Sequence, residues 1–299
     1  MDFKNKIILA PIAKVNDIAF RVLCKKYGAD IIYSEMVNCN ALSRKNKATI
    51  NMTRTVKEEK PIAIQLFGTK LDNIKKAVNM VKDKCDIIDF NFGCPADKVI
   101  KQGAGAALME RPKKVFEIIN CLVNSCDLPI TAKIRLGYRK KNYLAIAKEI
   151  EKAGASAVTL HARTVKQAYS GKADWDAIKE LKENLSIPVI GNGDVWSYEN
   201  YVKMKEYTNC DSVMIARGAM GYPVIFKEIK EQKKIDLTKE DRINLFKEYL
   251  ELFKKYPEPF PQVKMQALYF LKGFEESAQL RNKIAKAKDM NELNDQILK

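Results

Sequence analysis

At 299 residues, 46% of them hydrophobic and 30% charged, the chain can fill a large core beneath a polar surface, as one large domain or as a large and a small one. It has no apolar run near the roughly 18 residues of a membrane helix, and its seven cysteines include no C-x-x-C pair, which speaks against a disulfide framework or zinc site and for a reducing cytoplasm. The net charge of +16 points to a polyanionic partner, nucleic acid being the commonest.

The N-terminal stretch MDFKNKIILAPIAK has too short an apolar segment to be expected as a signal peptide. Strands are predicted at 7–10 (IILA), 31–34 (IIYS), 62–67 (IAIQLF) and 87–92 (IIDFNF). They continue at 130–135 (ITAKIR), 156–161 (SAVTLH), 188–192 (PVIGN) and 212–216 (SVMIA). Segments 71–82, 113–123, 142–153 and 198–206 carry apolar residues at helical spacing between them. Eight such units in about 225 residues predict a (β/α)8 TIM barrel, with a doubly wound sheet as the alternative. From about 235 the strand-like runs stop, and 238–255, 260–273 and 275–298 read as amphipathic helices, with a Pro-rich break at 255–261. The expected organisation is a catalytic barrel over 1–234 and a small helical domain over 235–299.

The polar residues that stand out fall where the predicted strands stop: Pro11, Glu35, Gln65, Asn91 with Cys94, Lys133 with Arg135, His161 with Arg163, Asn192-Gly193-Asp194, and Arg217-Gly218. A barrel would gather them at one mouth. Cys94, three residues after Asn91 at a sharp turn, is a candidate proton donor or nucleophile. Gly193 and Gly218, with Arg217, look like a phosphate cradle, since backbone N–H groups can approach an anion closely there. Lys133 interrupts an apolar strand and needs a partner or a function; it could hold an anionic ring, form a Schiff base, or pair with Asp89. His161 is the only histidine and closes a strand. Cys24, Cys85 and Cys210 sit in apolar surroundings and are expected to be plain buried thiols. Gly103-Ala104-Gly105-Ala106-Ala107-Leu108 superficially resembles a dinucleotide fingerprint, but it does not directly follow a predicted strand.

Several segments together resemble the tRNA-dihydrouridine synthases, flavin-dependent RNA-modifying enzymes. They include Ala10-Pro11-Ile12, Ser34-Glu35-Met36, Gln65-Leu66-Phe67-Gly68 and Asp89-Phe90-Asn91-Phe92-Gly93-Cys94-Pro95. Others are Lys133-Ile134-Arg135-Leu136-Gly137, His161-Ala162-Arg163-Thr164, Gln167-Ala168-Tyr169-Ser170-Gly171 and Gly191-Asn192-Gly193-Asp194. The likeness covers about residues 7–226. It implies FMN in the barrel, NADPH as the reductant, tRNA as the partner, and a C-terminal helical domain that helps hold the tRNA. It makes Cys94 the catalytic acid and places Asn91, Arg163 and Tyr169 on the substrate side. Pro11, Gln65, Lys133 and His161 would meet the flavin, and Asn192, Gly193, Asp194, Arg217 and Gly218 its ribityl-phosphate end. The family's His-containing element in the last domain has no His in the comparable Lys264–Gly273 stretch. No metal, membrane or obligate protein partner is expected, and a monomer is.

The reaction so implied saturates the C5=C6 bond of uracil. A thiol stays largely protonated at neutral pH yet gives its proton up readily, which suits Cys94 to the acid role. An FMN-dependent enzyme of a free pyrimidine, similar to dihydroorotate dehydrogenases, is the alternative; a third reading is an RNA- or phosphate-binding barrel without catalysis. The basic charge favours RNA: residues 231–299 hold 14 basic against 12 acidic side chains, leaving +14 on residues 1–230.

Overall fold

The computed structural model describes residues 1–298. Eight parallel strands form one sheet: β1 (Ile7–Leu9), β2 (Ile32–Asn38), β3 (Ile62–Phe67), β4 (Ile87–Asn91), β5 (Ile130–Arg135), β6 (Ala157–His161), β7 (Val189–Asn192) and β8 (Ser212–Ile215). Their order is β1-β8-β7-β6-β5-β4-β3-β2, and a bridge between Ile8 and Ile31 brings the two ends together. The ring excludes the doubly wound alternative. Helices on the outside cover it, among them Leu71–Val81, Pro112–Val123, Tyr143–Lys152 and Tyr198–Thr208.

Strand alternation explains how this fold makes a site. Ile62, Ile64 and Leu66 of β3 and Ile88 and Phe90 of β4 face outward into the core beneath the helices. Ala63, Ile87, Ala157, Ile190 and Met214 face inward and form a second apolar layer with Ile8 and Tyr33. Side chains on one face recur every two residues. Two and four positions further along, the inward face therefore carries Gln65, Asp89, Asn91, Thr131, Lys133, Arg135, Thr159, His161 and Asn192. The barrel is thus apolar at the N-terminal ends of its strands and polar at the C-terminal ends.

Two elements differ from the sequence expectation. β2 runs to Asn38 instead of stopping at 34, through an irregular register between Tyr33 and Met36. The polar Ser34 and Glu35 hide that continuation from an apolar-run reading; Ser34 Oγ accepts from Gln65 N at 3.1 Å and keeps the strand attached. The predicted 275–298 helix is two, Ser277–Lys286 and Met290–Leu298, broken where Asp289 accepts from Glu292 N at 2.9 Å.

The last helices continue the barrel's core. Lys239–Lys255 and Phe260–Phe270 pack against Ile18–Lys26 through Phe20, Phe246, Tyr249 and Phe270; the Phe20 and Phe270 rings lie 6.3 Å apart, edge to face. Buried Asp17 joins the two regions, accepting from Tyr249 Oη at 3.1 Å and Gln266 Nε2 at 3.0 Å. Burial raises its pKa despite these bonds.

Candidate active site

A cavity of about 390 Å³ opens at the C-terminal ends of the strands. Pro11, Gln65, Asn91, Cys94, Lys133, His161, Tyr169, Asn192 and Arg217 of the sequence-predicted set all line it. A smaller recess of about 40 Å³ adjoins it, walled by Gly193, Asp194, Trp196, Arg217 and Gly218.

Cys94 sits half-buried in the loop after β4. Asn91, the last residue of the strand, holds that loop: its Oδ1 accepts from Gly93 N at 3.1 Å and Cys94 N at 2.8 Å. The far side is closed by the Gly103–Leu108 segment, which is no dinucleotide loop. Ala106 N donates to the Cys94 carbonyl at 3.1 Å. Gly105 has φ +59°, and a Cβ there would stand 2.7 Å from the same carbonyl oxygen. Burial raises the Cys94 pKa, against smaller lowering effects from the Ala96 backbone and the Arg135 charge, so the thiol keeps its proton at neutral pH.

Lys133 does not pair with Asp89. Its Nζ donates to Asn192 Oδ1 at 2.9 Å, and Asn192 Nδ2 donates to the Met214 carbonyl at 2.7 Å. Burial, with the Arg135 charge, lowers its pKa to about 7. The same burial, with four surrounding cations led by Lys133, drives the His161 pKa far below its usual value, so the imidazole is neutral. A neutral imidazole in a cationic wall is a hydrogen-bonding group rather than a charge.

The glycine pair has the geometry of a cradle. Gly193 has φ +134°, and a Cβ on Gly218 would stand 2.3 Å from the Val195 carbonyl oxygen. Asp194, also left-handed at φ 57°, turns its carboxylate to protein groups: Arg163 Nη2 at 2.7 and 2.8 Å, and Ala173 N at 2.7 Å. Arg163, expected on the substrate side, does not line the cavity. It is 2% exposed and donates to the Ser170 carbonyl at 3.1 Å and the Gly171 carbonyl at 2.7 Å. Its Nη1 is buried without a hydrogen-bond partner among the described residues, 3.7 Å from where a Gly193 Cβ would lie.

The sequence reading gave no role to several other wall residues. Arg135 ties down the loop that carries Tyr169, donating to Thr164 O at 3.1 Å and Ala168 O at 2.9 Å, and its guanidinium lies over the Tyr169 ring. Its spacing two residues after Lys133 on one strand was the available signal. Arg217 is flanked by the rings of Tyr169 (5.3 Å) and Trp196 (4.9 Å), both of which are exposed at the rim. Met36 and Met220 add apolar wall, and Tyr269 reaches the cavity from the helix Phe260–Phe270.

A family model described as dihydrouridine synthase matches residues 8–299. The chain belongs to the dihydrouridine synthase family. A protein of Aquifex aeolicus described as a probable tRNA-dihydrouridine synthase is 38% identical over 302 residues, covering 98% of this chain and 95% of that one. The tRNA-dihydrouridine synthase B of Pasteurella multocida is 41% identical over 228 residues, covering 75% of this chain and 68% of its own length. Among solved structures, histamine dehydrogenase from Rhizobium sp. 4-9 shares the fold, with a TM-score of 0.60 at 14% identity over 83% of this chain and 49% of that one. In this family member the stretches that carried the resemblance are those that build the cavity wall, the Cys94 clamp and the glycine cradle.

Proposed function

We propose that this dihydrouridine synthase family member reduces uridines in tRNA to 5,6-dihydrouridine, with FMN bound in the barrel mouth and NADPH as the reductant. The observation that carries the reading is the Cys94 thiol sharing one cavity with a half-buried lysine and three amide side chains, beside a glycine-lined recess.

The donor set suits FMN. Gly193, Gly218 and the Arg217 charge fit a phosphate, and the unpartnered Arg163 Nη1 adds a buried donor close to Gly193. Lys133, whose pKa burial and the Arg135 charge lower to about 7 against the pull of Asp89, gains a counter-charge from an anionic ring edge and so fits one. Pro11, Gln65, His161 and Asn192 complete the wall around it, and Asp194 shapes the recess through Arg163. When bound, the flavin supplies the reducing equivalent that adds to C6 of uracil.

Cys94 then donates its proton to C5 of the base, and the loop contacts from Asn91 and Ala106 hold the thiol in place while it does so. Asn91 keeps one N–H for a carbonyl of the uracil edge. Tyr169 lies on the substrate side of the mouth; Arg163 serves it indirectly, by fixing the 170–171 carbonyls. A uridine stacked in RNA cannot reach this depth, so the base must be turned out into the mouth. The barrel, residues 1–234, carries the chemistry, and the helices of 235–299 help hold the tRNA.

The test is anaerobic. The flavin of the purified protein is reduced, tRNA lacking dihydrouridine is added, and flavin reoxidation is followed by absorbance. Rapid reoxidation by tRNA, with none by orotate or free uridine, is expected. Reoxidation by a small pyrimidine alone would instead make this an enzyme of free pyrimidines, and purification without stoichiometric FMN would leave a binding protein.

A further inference from the structure

Below the reacting groups lies a buried chain of hydrogen bonds whose polarity is set at one end. Asp89 is fully buried. Its Oδ1 accepts from Thr131 Oγ1 at 2.6 Å and its Oδ2 from Gln65 Nε2 at 2.7 Å. Gln65 Oε1 accepts from Asn91 Nδ2 at 2.9 Å, and Asn91 Oδ1 accepts from the N–H groups of Gly93 and Cys94. An amide can turn end for end, and each turn exchanges a donor for an acceptor. A carboxylate accepts at both oxygens, so it admits one orientation of Gln65, which admits one orientation of Asn91.

We propose that Asp89 is a positioning residue that fixes the direction of both active-site amides and, through Asn91, the backbone of the loop carrying Cys94. The consequence is chemical as well as structural. With Gln65 and Asn91 held this way, each keeps one uncommitted N–H at the cavity floor, a pattern that suits carbonyl oxygens on a pyrimidine or flavin edge. Asp89 titrates near pH 6 because burial raises it, against the bonds from Thr131 and Gln65, so at neutral pH it is in the acceptor-only form. The inference about the loop stands on geometry; its meaning for catalysis rests on Cys94 being the proton donor.

The sequence of events in Asp89→Asn is specific. With the Thr131 hydroxyl still donating along its 2.6 Å bond, the introduced amide keeps its oxygen for Thr131 and presents an N–H to Gln65. Gln65 would turn its Oε1 to meet it and its Nε2 toward Asn91. Asn91 would turn in response and place an N–H against the N–H of Cys94, releasing the loop. A second change should reverse this: in Asp89→Asn/Gln65→Glu, the new carboxylate accepts from the introduced amide on one side and from Asn91 on the other. The total charge and the Asn91 orientation are both restored.

The readout is the rate at which iodoacetamide alkylates Cys94 in the purified flavoprotein, followed on the Cys94 peptide by mass spectrometry. Loss of the bond holding Cys94 N should speed alkylation roughly tenfold in Asp89→Asn. The double variant should return to within about twofold of the parent, which a role for Asp89 as mere core filling would not produce. An unchanged rate in Asp89→Asn, or a double variant as fast as the single one, overturns the proposal. If Asp89→Asn does not fold, the double variant decides alone: a parent-like thiol supports the chain of amides, and a fast thiol or an unfolded protein overturns it. Because alkylation involves no RNA, the result is independent of whether Cys94→Ala abolishes dihydrouridine formation, which is what tests the acid role.

Discussion

Cys94 and Lys133 are both shifted by burial, and in each case the neutral form is the one favoured. For Cys94 that keeps a proton on sulfur for delivery. Cys94→Ala should therefore retain flavin and reductant oxidation, while dihydrouridine formation, measured by nucleoside mass spectrometry, falls by about 10²–10⁴, the usual worth of a positioned acid. Full product formation would remove the assignment. For Lys133 the consequence is a pH-dependent stability. Its folded pKa, about 7, lies below that of an ordinary lysine. Between that value and roughly 10 the unfolded chain holds a proton that the folded chain has released, so this residue makes stability rise with pH across the window. Urea unfolding of flavin-free protein should show at most about 2 kcal/mol more gain from pH 7 to pH 9 than Lys133→Met shows, the ceiling being set by the opening of Nζ onto the cavity. Equal slopes would mean that Lys133 is solvated like a surface lysine.

Among elements, the Gly103–Leu108 segment shows how a local pattern can mislead and still matter. Its glycines were legible as a special backbone, but their purpose was not, because the partner is a carbonyl well upstream in the chain, at Cys94. Gly103 and Gly105 separate two effects. Both have positive φ, +69° and +59°, so alanine at either costs about 1–2 kcal/mol of backbone strain. Only at Gly105 does the new Cβ collide with the Cys94 carbonyl, at 2.7 Å; at Gly103 the nearest atom is a flexible Arg111 nitrogen at 3.9 Å. Both alanine variants should melt a few degrees lower, and only Gly105→Ala should also lose more than about tenfold in dihydrouridine formation. Equal activity losses in the two would show that the segment acts through stability alone. The strands were legible for a plainer reason: an inward and an outward apolar layer make nearly continuous apolar runs such as IAIQLF and IIDFNF. β2 was cut short at Ser34 and Glu35, whose polarity ends the apolar run although the strand continues to Asn38. Trp196 carried no signal, since it arrives from a loop without a periodic neighbour, and Tyr269 stood out only as part of the Lys264–Gly273 stretch, where nothing placed it at the mouth. Arg163, set on the substrate side by the resemblance, spends its guanidinium on Asp194 and on the carbonyls of Ser170 and Gly171, partners that no local sequence pattern announces.

At the scale of the whole molecule, the charge and the fold argue together. Residues 231–299 contribute only +2 of the net +16, so the excess belongs to the barrel portion. The helices there are not a detached appendage: Asp17, Tyr249 and Gln266 form one buried hydrogen-bonded group across the junction, Gln266 Nε2 also donating to Val15 O at 2.6 Å. Tyr269, on the same helix as Gln266, reaches the cavity. A substrate held at the mouth therefore meets one continuous surface, with the barrel supplying most of the positive charge. Neutralising RNA phosphates releases their counterions, and binding weakens as a power of salt concentration. The half-saturating tRNA concentration should thus rise by at least about tenfold between 50 and 200 mM salt if even a few phosphates are held. Turnover at saturating tRNA should change far less, because Cys94 and the buried groups beneath it are shielded from the bulk ions. A small pyrimidine has no phosphate array to release ions from, so a salt-independent half-saturation would separate the free-pyrimidine reading from the RNA one without altering a residue.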